Sequence, residues 1–289
     1  MTNAWHRDGA GLLGILAAPA ARAHGDDPAT TALTGLVVAL LALTTVAYGY
    51  GVARRWRVRF GRGVRPWQAV CFGLGIALLA LALLGPLESL SGRSFAAHMS
   101  QHMVLIALAP PLLLLGVPAT ALGRFAPPFL LVLRTPLARP AVAFALHAIV
   151  VWAWHAPAAF QAALVADVVH ALEHTTLFAS ALLFWWCLLH AGRQEASGHG
   201  VAALLALATL IHTGMLGALL TFAPQPLYPI YADASPVFGL TALEDQQLAG
   251  LLMWVPGGFV YLCAGLWQVA QWLRRATRSG AKRLVVADS

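Results

Sequence analysis

Seven long apolar stretches, almost free of charge, constrain this chain more than any other feature. They lie at 32–53, 67–85, 96–115, 141–156, 168–190, 201–223 and 248–273, the fourth being the shortest. Read as helices rising about 1.5 Å per residue, they are candidate crossings of roughly 30 Å of bilayer hydrocarbon. Only 10% of the 289 residues are charged, against about 25% in soluble domains, so no soluble surface can be assembled. The expected fold is all-α, a polytopic membrane helical bundle of seven transmembrane helices. Pro110-Pro111 in the third stretch and Pro256-Gly257-Gly258 in the seventh should kink or break those helices and free backbone carbonyls. Such breaks persist only where neighbouring helices or a polar cavity satisfy the freed groups.

The net charge of +7 is no nucleic-acid signal, because its carriers cluster in short runs between apolar stretches. Arg54, Arg55, Arg57, Arg59, Arg62 and Arg65 lie in the first connection, Arg124, Arg134 and Arg139 in the third, Arg193 in the fifth. Arg274, Arg275, Arg278, Lys282 and Arg283 follow the last stretch, making fifteen on one side. With residues 1–23 removed, Arg93 stands alone on the other side, with Asp26, Asp27, Glu88, Asp167, Asp233, Glu244 and Asp245. The positive-inside rule then puts the N-terminus outside and the C-terminus inside. Residues 1–23 read as a signal peptide, a 12-residue apolar run ending in Ala21-Arg22-Ala23. Residues 24–273 form the seven-span membrane domain, and 274–289 a basic cytoplasmic tail. The apolar patch Phe129-Leu130-Leu131-Val132-Leu133 should lie along the interface, and the 224–247 loop is a lid, a docking surface or an ordinary interfacial loop. Cys71, Cys187 and Cys263 sit in apolar segments without a CxxC pair and read as small hydrophobes.

Eleven histidines are the informative excess. His98 and His102 open the third stretch four residues apart, on one helix face. His170 and His174 open the fifth with the same spacing at the same depth, and His155 ends the fourth at that level. An i, i+4 pair can chelate a metal, and two such helices complete four nitrogen ligands. The expected metal set is His98, His102, His170 and His174, with His155 or Met103 auxiliary. Imidazole suits copper, zinc and iron alike, and bis-histidine haem ligation also fits. Copper leads, with haem and zinc open.

Other features read as follows. His170-Ala171-Leu172-Glu173-His174 matches an inverse zinc-protease pattern, which needs a third ligand and a substrate channel. Glu173 is better read as orienting a histidine. His147, His190 and His199 read as ordinary polar residues, and His212 with Thr213 as helix-packing hydrogen bonds. Glu244 and Asp245 either attract a cation or cap a helix. His24, a new N-terminus if the leader is cut, could chelate copper.

The runs AHMSQHMVLIALAPPLLLLGVP, VVWAWHAPAAF, ALEHTTLFASALLFWW, PLYPIYA and LTALEDQQLAGLLMWVPGG together resemble the CtaG-type cytochrome c oxidase assembly factors. The similarity covers about 85–267 and falls on the same five histidines. It implies a multi-pass protein of the bacterial inner membrane, working with cytochrome c oxidase subunits or other assembly factors, and not an enzyme. Copper held or delivered on the periplasmic side is the function it suggests. A transporter of copper or another metal ion, and a haem-binding redox protein, are the alternatives.

Overall fold

The computed structural model describes residues 28–118, 139–191, 198–232 and 237–287. The leader, His24 and the Phe129–Leu133 patch with Arg124 and Arg134 lie outside them, as does Arg193. Helices hold 85% of the described residues and strands none, so the fold is all-α. In chain order α1 is Pro28–Trp56, α2 Pro66–Leu83, α3 Pro86–Ser91 and α4 Phe95–Met103, continued as α5 Ala109–Gly116. Then come α6 Pro140–Trp154, α7 Pro157–Val165, α8 Asp167–His190, α9 Gly198–Thr221, α10 Ala242–Leu252 and α11 Gly258–Ala287. Proline opens α2, α3, α6 and α7, at the position where its missing N–H is lost to no intrahelical bond.

Among the described residues six helical runs are long and apolar enough to cross a membrane, or seven if one bent pair counts as a span. The protein is a multi-pass membrane protein. The bent pair corrects the expected fourth span. Residues 141–156 do not form one crossing helix: α6 has 15 residues, about 22 Å of rise, and the chain then turns by 71° into α7. Pro157 is the cause, since the residue before proline is driven out of the helical region. Ala156 duly takes φ −66° and ψ 130°.

The two proline sites relieve themselves as π turns, at Val104–Leu108 between α4 and α5 and at Met253–Gly257 between α10 and α11. Pro110 cannot donate to the Ile106 carbonyl four residues back. Trp185 Nε1 donates to that oxygen instead at 2.8 Å, with the Tyr261 hydroxyl at 3.5 Å. The freed carbonyl is thus satisfied by neighbouring helices, as the sequence requires.

The spans carrying the paired histidines form the centre of the bundle: 61% of the apolar window of 95–116 and 56% of that of 167–190 is buried, against none of the apolar window of α1. Near its end α1 packs through Tyr48, whose ring stacks on Phe72 at 3.7 Å and whose hydroxyl donates to the Gly116 carbonyl at 2.8 Å. At its start Thr30 donates to the Asp167 carboxylate. Between these fastenings lies a cavity of about 1550 Å³.

Candidate metal centre

Each paired motif sits at the start of a central helix, and the start of α4 is held by a specific cap. Ser94 accepts from Ala97 N at 3.2 Å. Asp245, from the start of α10, accepts from Phe95 N at 2.6 Å, Ser94 Oγ at 2.9 Å and Ala96 N at 3.4 Å. Glu244 caps its own helix with Thr241 through reciprocal bonds. Of the two sequence readings for these carboxylates, the structure places both in capping.

The i, i+4 spacing does what helical geometry demands. His98 and His102 point the same way, their Nε2 atoms 3.0 Å apart. His170 and His174 lie with ring centroids 4.1 Å apart. The two pairs face each other: the His98 ring is 5.4 Å from His170 and 5.8 Å from His174, and the His102 ring 5.7 Å from His174. His155 completes the group, its ring 5.4 Å from His102. All five are buried.

Glu173 has a more central place than sequence reasoning assigned to it. Its carboxylate is fully buried, with one oxygen 3.4 Å from His98 Nε2 and the other 3.4 Å from His102 Nε2. Donor atoms of His98, His170, Glu173 and His174 all fall within 4.8 Å of one another. Glu88 was also missed. It accepts from Gln101 Nε2 at 2.7 Å and lies 3.9 Å from His170 Nδ1. The H-x-x-x-H spacing could not have found it, because α3 reaches the cluster only through tertiary packing. Met103 is buried, but its sulfur lies against Gly257 of the second π turn.

The donors fit a cation on two grounds. Metal–nitrogen bonds of about 2.0–2.1 Å place neighbouring donors about 2.9–3.4 Å apart, which matches the 3.0 and 3.4 Å separations around His98, His102 and Glu173. The second ground is the lack of partners. His155 Nε2, His174 Nε2 and both Glu173 oxygens are buried without a hydrogen bond. A buried carboxylate left so costs several kcal/mol unless positive charge compensates it. His155 donates its Nδ1 proton to the Val151 carbonyl at 2.7 Å, which leaves its Nε2 lone pair free to accept.

An aromatic cover closes the group. Phe95, Phe160, Tyr228 and Tyr231 are all buried and mutually in contact, and Phe160 lies 4.8 Å from the His98 ring. Tyr228 donates to the His155 carbonyl at 2.7 Å and Tyr231 to that of Ser91 at 2.8 Å. Burial, with the Glu173 charge behind it, pushes both tyrosine pKa values up, so the hydroxyls stay neutral donors. The described part of the 224–247 loop is therefore a structured lid.

The remaining described histidines take part in packing, as expected. His147 pairs with Ser180 at 3.1 Å, His190 with the Trp186 carbonyl at 3.0 Å, and His199 with Gln268 at 2.6 Å. Trp152 donates to His212 at 3.3 Å, and Thr213 to the Thr209 carbonyl at 2.7 Å.

The sequence pattern of the cytochrome c oxidase caa3 assembly factors matches residues 46–275. The chain belongs to that family. The match takes in every histidine of the cluster, Glu88 and Glu173, and extends the recognised similarity back into α1 and the arginine-rich connection. No curated protein and no solved structure matches the chain. This caa3 assembly factor thus carries its most concentrated buried polar group on its two central helices.

Proposed function

We propose that this assembly factor holds copper as cargo during oxidase maturation, at His98, His102, His170, His174 and Glu173, with His155 auxiliary. The observation that carries the reading is the set of 3.0–3.4 Å donor separations among buried groups that lack other partners. Imidazole and carboxylate donors without thiolate suit a divalent ion, and among divalent first-row metals such sites bind copper most tightly. Met103 is left out of the set because of its place against Gly257. The role is non-catalytic: the cluster stores and presents an ion to an oxidase subunit or another assembly factor. The cluster faces the periplasm of a bacterial inner membrane, the side with few basic residues.

Copper titration of the purified protein tests this. His102→Ala and His174→Ala should each abolish most binding, and the double variant should lose little more, because the ligands act as a unit. His199→Ala should bind normally. Affinity should fall at acid pH, where imidazole takes a proton and stops ligating. Unchanged binding in the double variant, or a Soret band from bound haem, would overturn the proposal.

A further inference from the structure

The cluster is sealed on nearly every side, so an ion needs a way in. His98, His102 and Glu173 are wholly buried, and the four rings of the aromatic cover are at most 5% exposed. One carboxylate in contact with the group differs: the Glu88 side chain is 34% exposed, against 8% for its neighbour His170. Gln101 Nε2 binds both the Ala82 carbonyl and Glu88 Oε2 at 2.7 Å. This holds the other oxygen, Oε1, toward His170 at 3.9 Å.

Glu88, Asp167, His170 and His174 all line the cavity beneath α1. His174 reaches this wall with a buried Nε2 that has no hydrogen-bond partner. The cavity is otherwise mostly apolar, bounded by residues such as Leu33, Val37 and Phe178. Arg54, Arg55 and Arg62 line it toward the far end of α1, so its acidic end is the one that meets the cluster.

We propose that Glu88 and Asp167 form a loading port, an outer cation site from which the ion passes through His170 to the buried donors. This rests on the metal-centre reading above. Partly exposed carboxylates capture a hydrated divalent cation and exchange it quickly. His170 then replaces water with imidazole nitrogen, and His174, His98 and Glu173 follow within one chain of contacts. The ion keeps its oxidation state throughout, and only ligands are exchanged. Thr30 of α1 donates to Asp167, so the first helix braces the port from the cavity side.

The test is stopped-flow uptake of Cu(II) by the full-length protein in detergent, followed by equilibrium titration of the same samples. Glu88→Gln and Asp167→Asn keep side-chain size and should slow uptake about tenfold or more by removing local steering charge. Stoichiometry and final affinity should stay at the wild-type level. Glu244→Gln removes an exposed carboxylate outside the cavity and should leave the rate unchanged. Wild-type uptake rates in both port variants would overturn the port while leaving the metal centre standing. Equal slowing in Glu244→Gln would reduce the effect to general surface charge and also overturn it. A loss of affinity matching the loss of rate would make Glu88 a ligand of the resting site. Absence of copper binding by the wild-type protein would overturn the centre and the port together.

Discussion

Asp245 shows what a single carboxylate can decide. It lies on α10 but satisfies the first backbone N–H groups of α4, the helix that carries His98 and His102. A buried acceptor serving several donors is strong because the helix start is short of partners and bears partial positive charge. Asp245→Ala should destabilise the protein by about 1–3 kcal/mol, whereas Asp245→Asn, which keeps one acceptor oxygen, should cost less. Thermal unfolding in detergent measures both, and equal stability of Asp245→Ala and wild type would rule out the capping role. Sequence reading found this residue but not its partner, which lies about 150 positions earlier. The same limit applies to Glu88 and Gln101. By contrast the histidine pairs were legible, because i, i+4 spacing fixes a shared face whatever the surroundings.

At the scale of helices, glycine sets how closely spans approach. A Cβ on Gly250 of α10 would meet the Gly217 carbonyl oxygen at 2.5 Å and Thr221 N at 2.7 Å, both on α9. These are backbone atoms that cannot step aside, and small residues at such crossings are how membrane helices gain packing. Gly250→Ala should therefore lower stability by about 1–3 kcal/mol through overpacking. Gly73 in α2 has nothing within 4 Å of its Cβ position, so Gly73→Ala should be neutral or add about 0.5–1 kcal/mol. Unfolding midpoints of the pair check this, and similar effects at both positions would exclude a packing origin. The proline breaks were foreseeable, since a missing N–H is a property of the residue. Their form as π turns, and the choice of Trp185 and Tyr261 to satisfy Ile106, came from the neighbouring helices.

For the molecule as a whole, the charge distribution implies one orientation. Fifteen basic residues on one side against Arg93 on the other favour a cytoplasmic arginine-rich end. Reporters fused after Arg283 should be active in the cytoplasm, and those placed in the 224–247 loop should be active outside. The reverse result at either site would put the histidine cluster at the cytoplasmic face and end its reading as a periplasmic store.

Hydropathy alone sufficed for the membrane class and most of the helical crossings, and i, i+4 spacing for the shared faces of the paired histidines, because helical rise and periodicity act on the chain locally. The bend after α6 needed only Pro157, yet the apolar run through it hid the break. Tertiary packing alone decided that Glu173 stands between His98 and His102 and that Glu88 touches His170. It also brought Tyr228 and Tyr231 down as a cover. Those contacts join residues far apart in the chain, and which faces meet depends on how every helix packs at once.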